Sequence, residues 1–547
     1  MGERTEAVVG VLASAARNRS LRRVELSYGL FIGSEWAVWI SLLVYAYEHG
    51  GTSASSLIAI VQLVPCMVLG PLIGAFADRH RAGRVLVLGY AVQGTTMAGM
   101  ALAIAAGAPV WVVFVLAPVV NIGISVTRPA QAALVPSIVR TAEELTASNV
   151  LAGWVEQGSR LVVPAVAGVL LAVNGPALSI GVTAGMVVVA GVLVLSVPGS
   201  EAAPGDESVT TKLRANLGAA GRDRSTRLLL ALTVLYQAFV GALDLLCVIL
   251  ALRVLHLGQG GAGYLNAAVA AGGVAAGVVT ASLVGRPRLV RFLVGGILGA
   301  TVALALVAAD PTVALAFVLL AFVGLSGAVF EVTGQTLLQR VAPSDALAGI
   351  FSLRESLMDL GLVLGFLLVQ AGVAVGGYQA ALVAPALLAV VAVALLWRPL
   401  GAIDGAADVP QVEIQLLRHV RIFAVLPAPA LEGVARQLVA VTAPAGAVVI
   451  REGDVGDGYY VIGDGVLTVH RDGVVVGRLQ RGEGFGEVAL VHGVPRTATV
   501  VAETECLLYE LDKDPFVLLL TGHPVAAQEA QAITSRHRAP DPEAAAE

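Results

Sequence analysis

Charge is scarce in this chain. Of its 547 residues only 13% are Asp, Glu, Lys or Arg, where a soluble domain carries about 25%. Aromatic residues make up 5%, and the formal net charge is −5. No basic stripe with interleaved aromatics occurs, so a nucleic-acid partner is not expected. Cysteine is rarer still: Cys66, Cys247 and Cys506 lie far apart with no CxxC spacing. That argues against a zinc site or a disulfide framework and fits a reducing compartment. No glycine loop ending in Gly-Lys-Ser or Gly-Lys-Thr is present to cradle a nucleoside triphosphate. No nucleophile–base pair or metal-ligand cluster stands out, so neither an enzyme nor a cofactor is expected. The first twenty residues contain Glu3 and Glu6 and no long apolar run, so no cleaved signal is read there.

What the chain has in excess is apolar length. Hydrophobic residues reach 57% and the mean hydropathy is +0.83, which places much of the chain in a lipid bilayer. Runs long enough to cross it fall at about 24–48, 54–77, 84–106, 110–135, 148–173, 177–198, 227–252, 261–284, 289–309, 312–338, 349–373 and 378–398. The short loops alternate in basic content. Arg17, Arg19, Arg22 and Arg23 precede the first span, Arg79, Arg81 and Arg84 follow the second, and Arg286, Arg288 and Arg291 follow the eighth, whereas EHGGTSASS, AAGAP and ADPT are bare of Lys and Arg. Positive charge stays inside, so both termini are expected in the cytosol and the protein in the cell membrane.

The longest polar stretch within this region, around Gly199 to Arg227, divides it into two sets of six spans. A shift of 208 residues superposes Tyr28, Phe31, Gly33, Gly50 and Leu57 on Tyr236, Phe239, Gly241, Gly258 and Leu265. Self-similar halves joined by a cytoplasmic loop mark carriers that rock one half against the other around a central site. The expected fold is an all-α polytopic membrane protein with twelve transmembrane helices in two six-helix repeats, followed by an α+β cytoplasmic domain built on a β-roll. The segments are a cytoplasmic N-terminus (1–23), a first half (24–198), a central loop (199–226), a second half (227–398), a linker (399–411) and the terminal domain (412–540).

After the second span, GPLIGAFADRHRAGRVL resembles the signature of the major facilitator superfamily. Small residues at Gly70 and Gly74 let helices approach. The resemblance implies that Asp78 and Arg79 form a cytoplasmic gate, with Asp78 pairing to an Arg of the facing half. Two extra residues separate Arg79 from Gly83, and the corresponding second-half position is Arg286 rather than an acid. Arg128, in VTRPAQAALVP, resembles the Arg-Pro of drug and siderophore exporters of the superfamily and is expected at the same gate. Ionisable residues inside spans are costly and mark function or pairing. Glu35 and Asp244 occupy adjacent positions of the repeat, in spans one and seven, which line the cavity in this family. They are the candidate transport or coupling carboxylates; the plainer alternative pairs them with an Arg such as Arg160 or Arg354. Glu156, Glu331, Arg354, Glu355 and Asp359 are expected in ion pairs toward the cytoplasmic side, with Arg354 near Asp359.

Beyond Pro399 the hydropathy falls. QVEIQLLRHVRIFAVLPAPALEGVARQL reads as two helices about a Pro-containing turn. Short β runs follow, AVVI, YYVI, VLTVH, VVVGRL, TATVV and CLLYEL, cut by Gly and Asp, as in a small β-roll. Closing helices are expected over Pro515 to Leu520 and Val525 to Ser535. Within the roll, RGEGFGEVALVHGVPRTATV closely resembles the phosphate-binding cassette of cyclic-nucleotide-binding domains. A short helix opening at Gly486 would offer the N–H groups of Glu487, Val488, Ala489 and Leu490 to a cyclic phosphate. Arg496 would pair with the same oxygens. The resemblance implies that Glu487 accepts the ribose 2′-hydroxyl and that Thr497 and Ala498 contact phosphate or purine, with cAMP or cGMP as regulatory ligand.

These readings converge on an ion-coupled secondary transporter, exporting a small amphipathic compound, whose gating is biased by cytosolic cyclic nucleotide. Its partners are the bilayer, a small-molecule substrate and the nucleotide. The competing reading is a nucleotide sensor anchored by a transport-inactive membrane part, which the cavity carboxylates Glu35 and Asp244 oppose. A nucleotide-gated channel fits less well, because no TVGYG-type filter loop is present.

Overall fold

The computed structural model describes residues 18–139, 142–197, 223–281, 286, 288–342, 347–406, 410–426 and 428–522, with isolated positions within 218–221 and 526–534. Two compact units separate, one formed mostly by Ala15–Val139 and Ser148–Asp408, the other mostly by Val409–Glu547.

The larger unit is helical. Its elements are α1 (Arg19–Arg79), α2 (Ala82–Ala105), α3 (Val110–Ile138), α4 (Ala142–Val194), α5 (Arg224–Ile249), α6 (Gln259–Ala281), α7 (Val290–Ala309), α8 (Val313–Val341) and α9 (Leu347–Ala406). Among the described residues eight helices are long and apolar enough to cross a membrane. Three of the long helices are broken. α1 breaks at Gly50-Gly51, α4 at Asn174-Gly175 and α9 at Gly376-Gly377. In each pair the second residue is a glycine with φ of 63 to 70°, a left-handed value that only glycine adopts without strain. The chain thus turns back in two residues where the sequence suggests a polar loop. α5 ends in a π turn, Leu250–Val254.

Outward-facing apolar side chains identify the solvent of this unit. Val68, Leu102, Trp111, Val173 and Leu395 are each more than 60% exposed, an arrangement that water penalises and lipid does not. Inside, Leu293, Ile297, Phe330, Leu337, Leu400 and Ile403 form a buried core of α7, α8 and α9. Gly272 and Gly324 let α6 and α8 touch backbone to backbone, the close packing that small residues permit between apolar helices. Gly70 makes no such approach, since a Cβ there would meet nothing within 4 Å. α9 continues through Pro399 to Ala406, and Asp404 accepts a 3.1 Å hydrogen bond from the Val290 N–H at the start of α7. The first part of the expected linker is therefore helix, held because it caps another.

The smaller unit begins with α10 (Gln411–His419), α11 (Arg421–Ala424) and α12 (Ala428–Ala435), three helices where the sequence suggests two. Eight strands follow: β1 (Val439–Ala443), β2 (Val448–Ile450), β3 (Gly458–Asp464), β4 (Val466–Arg471), β5 (Val474–Gln480), β6 (Gly484–Phe485), β7 (Thr499–Ala502) and β8 (Cys506–Asp512). They form two four-stranded sheets ordered β1-β8-β3-β6 and β2-β7-β4-β5, joined by a core of Ile450, Ile462, Leu467, Phe485 and Leu508. A short helix, α13 (Glu487–His492), lies between β6 and β7, and α14 (Lys513–Gly522) closes the roll. Much of Val525 to Ser535, and Ile533 within it, lies outside the described residues.

Candidate nucleotide cradle and membrane charge network

In the smaller unit the candidate residues are gathered by two glycines. Gly486 has φ of 99° and turns the chain from β6 into α13. A side chain there would sit 2.8 Å from Arg496 Nη1. Gly493, φ 64°, ends the helix after six residues and releases the chain toward Arg496. Glu487 is 2% exposed and Arg496 5%, although both are charged types that are rarely buried without partners. Val488, Ala489 and Leu490 are buried, and the backbone N–H groups of the first turn have no intrahelical acceptors.

Arg496 is clamped by acceptors. It donates through Nη1 to the Gly486 carbonyl at 3.1 Å, and through Nη2 to the Gly458 carbonyl at 2.8 Å and Asp457 Oδ1 at 3.0 Å. Its own peptide is also fixed, the N–H donating to the Asp454 carbonyl and the carbonyl accepting from the Gly453 N–H. Thr497 and Ala498 follow it, half-buried, at the entrance to β7. The cradle is therefore one cation and a row of amide donors held rigid against a sheet, an arrangement suited to an anionic oxygen cluster. Behind it, Tyr459 stacks on Phe516 at 4.9 Å and meets Phe423 edge-on at 5.5 Å. Burial first, and the nearby Glu487 carboxylate second, push the Tyr459 hydroxyl well above its ordinary range. Sequence reasoning had not singled out Asp457, Gly458 or Tyr459; the run Asp457-Gly458-Tyr459 reads only as a turn entering a strand.

The larger unit holds its charges in pairs. Glu35 accepts from Arg128 Nη2 at 2.7 and 2.9 Å, with the two side chains 25% and 46% exposed. Arg128, in the fourth of the expected spans, thus partners Glu35 in the first. Among the described residues no Arg pairs with Asp244, whose Oδ2 accepts from the Trp39 indole N–H at 3.0 Å. Arg160 pairs with Glu156 at 3.0 Å and lies 5.8 Å over the Trp36 ring. Arg354 pairs with Glu331 and with Glu355, not with Asp359 as the helix spacing suggests. Asp359 lies instead within electrostatic reach of Glu355, Arg128 and Glu35. Arg79 is exposed at the end of α1; the side chain of Asp78 lies outside the described residues. Among the described residues no group of His, Cys, Asp and Glu side chains is arranged to hold a metal ion.

Comparison with known proteins agrees with this division. Residues 24–345 match the family model of the Major Facilitator Superfamily, and residues 440–523 match that of the cyclic nucleotide-binding domain. The latter region is similar to the cAMP-dependent protein kinase regulatory subunit of Schizosaccharomyces pombe, 42% identical over 106 residues, and to that of Yarrowia lipolytica, 37% identical over 105 residues. Each alignment takes in 19% of this chain, and the chain spans only 26% and 28% of those relatives. A solved structure of the regulatory domain of Toxoplasma gondii PKA with cAMP is 32% identical, covering 20% of this chain and 44% of that one, with a TM-score of 0.20.

Proposed function

The chain belongs to the Major Facilitator Superfamily and carries a cyclic nucleotide-binding domain at its C-terminal end, and from that premise we propose a secondary transporter whose activity is set by cytosolic cAMP or cGMP. Twelve crossings in two six-helix halves, with both termini in the cytosol of a plasma-membrane protein, is the topology we assign. The three Gly-centred breaks support it, because each divides a long helix into two lengths that can span a bilayer. We assign domain limits of 24–198 and 227–398 for the halves and 412–540 for the nucleotide domain.

The observation that carries regulation is Arg496. A guanidinium this buried, ringed by two carbonyls and one carboxylate that is itself 80% exposed, is costly unless a partner completes it. A cyclic phosphate on the Gly486–Leu490 turn supplies that partner, with Glu487 receiving the ribose and Thr497 and Ala498 the remaining edge of the nucleotide. For transport, the support is that Glu35 and Arg128 of the first half and Glu331 and Arg354 of the second bring ion pairs into one membrane unit. Such charges mark a pathway by default. Glu35 is already neutralised by Arg128, so Asp244 is the better candidate for an ion-coupling carboxylate. The substrate we propose is a small amphipathic compound moved outward.

The test is transport by the full chain in liposomes against drugs, siderophores and amino-acid-like compounds, with and without lumenal-side or cytosolic-side cAMP or cGMP. A nucleotide effect present in the wild type and lost in Arg496→Ala supports the fused design. Transport indifferent to nucleotide would remove regulation and leave the carrier.

A further inference from the structure

Among the described residues, several hydrogen bonds between the two halves of the membrane unit gather at one end. Glu48 accepts from Gln259 Nε2 at 2.6 Å, Ser53 Oγ lies 3.4 Å from Gln370 Nε2, and Ser56 Oγ donates to the Phe366 carbonyl at 3.2 Å. Beside them runs a glycine seam between α4 and α6: a Cβ on Gly260 would collide with Ala172, and one on Gly263 would fall 2.6 Å from the Gly168 Cα. This is the end that bears the Gly50-Gly51, Asn174-Gly175 and Gly376-Gly377 turns, opposite the Arg-bearing loops, hence the outer end in the assigned topology. The Arg128, Arg160 and Arg354 ion pairs, by contrast, each stay within one half. The outer end is shut.

Trp39 stands at the inner edge of this closure. Its indole meets the Phe366 ring edge-on at 5.9 Å, and its N–H donates to Asp244 at 3.0 Å. Three spans from both halves therefore meet on one side chain. Asp244 is half-buried, and no charged side chain of the described residues acts on it; the Trp39 N–H is what compensates its carboxylate. Inside a membrane an ionised carboxylate with a single neutral donor is poorly compensated, so a cation that reaches Asp244 neutralises the charge and weakens the bond its Oδ2 accepts from Trp39.

We propose that Trp39 is a positioning residue of the outer gate, latching the halves through Asp244, and that occupation of Asp244 by the coupling cation releases the latch. This rests on the carrier reading and deepens it: ion binding and outer opening become one event at one hydrogen bond.

Spin labels at Ala106→Cys and Thr312→Cys, which are exposed at the outer ends of α2 and α8, report the separation of the halves in the full chain, with Cys66, Cys247 and Cys506 replaced by Ala. Trp39→Phe keeps the ring against Phe366 and loses the donor; Asp244→Asn keeps an acceptor and loses the charge. Each is expected to raise the ratio of wide to narrow separations by about tenfold or more, since the charge-assisted bond is lost in the first and stripped of its charge in the second, and the double variant to add little to either. Gly263→Leu, which cannot close the seam, sets the scale for an open outer end. Wild-type distances in both Trp39→Phe and Asp244→Asn, beside widening in Gly263→Leu, overturn the latch. Widening in all three without transport of any compound leaves the latch standing and removes the carrier reading instead.

Discussion

Arg128 and Arg160 of the membrane unit are held in the opposite way to Arg496 of the soluble unit. In the membrane unit Arg128 and Arg160 meet a carboxylate side chain directly and remain nearly half-exposed, at 46% and 49%. In the soluble unit Arg496 is 4% exposed at its side chain and is held largely by carbonyl oxygens of Gly458 and Gly486. A carboxylate side chain can swing away by changing rotamer; a backbone carbonyl cannot. The first arrangement suits charges that exchange partners during a cycle, the second a fixed receptor for one charged ligand.

That contrast can be broken by substitution. The largest effect is expected at Arg496→Ala, where loss of a desolvated phosphate partner weakens cyclic-nucleotide binding by about 2–5 kcal/mol; unchanged affinity in a calorimetric titration would falsify the cradle. Next is Gly484→Ala, whose Cβ would lie 2.6 Å from Tyr459 Cζ in a packed aromatic core. It is expected to destabilise the nucleotide domain by about 1–3 kcal/mol, read as an earlier thermal transition of that domain. If the transition does not move, Tyr459 is not the wall it is taken to be. Smaller in expectation is the influence of nucleotide on transport: a coupling of about 1–3 kcal/mol shifts the substrate affinity in liposomes roughly 5- to 150-fold, and that shift disappears in Arg496→Ala. The smallest is Glu35→Gln. Because its pair with Arg128 is partly exposed, its loss is expected to cost about 1 kcal/mol or less of stability, so a large loss of folded protein contradicts an exchangeable pair.

The cradle could be read along the chain because its parts are contiguous. Gly486, Glu487 and Arg496 lie within one turn, one helix and one strand entry, so spacing alone brings them together. Of the residues that clamp Arg496, Asp457 and Gly458 lie at the start of β3, about forty positions upstream, and carry no pattern beyond Asp-Gly-Tyr. Strands β1 and β6 were also invisible to periodicity. Val439–Ala443 is largely exposed outside Ala443, and Gly484–Phe485 is two residues long; both are strands because β8 and β3 pair with them.

The membrane charges show the reverse. Composition and Arg placement located Glu35, Asp244 and Arg128 within spans, since the cost of burying charge makes each conspicuous. Their partners were a different matter. Helix spacing favoured Arg354 with Asp359, yet Arg354 reaches across to Glu331 on another helix.

The sequence by itself determined that this chain lies in a bilayer, where its helices break, which family it joins and which thirteen-residue stretch, Gly486 to Ala498, is the candidate receptor for an anion. These follow from local propensity, from the exclusion of charge by lipid and from contiguous motifs. Only the tertiary structure decided that Arg128 neutralises Glu35, that Asp244 answers to Trp39 and that backbone carbonyls enclose Arg496. Such pairings depend on how distant helices and strands cross, and no residue's own neighbours in the chain contain that distance.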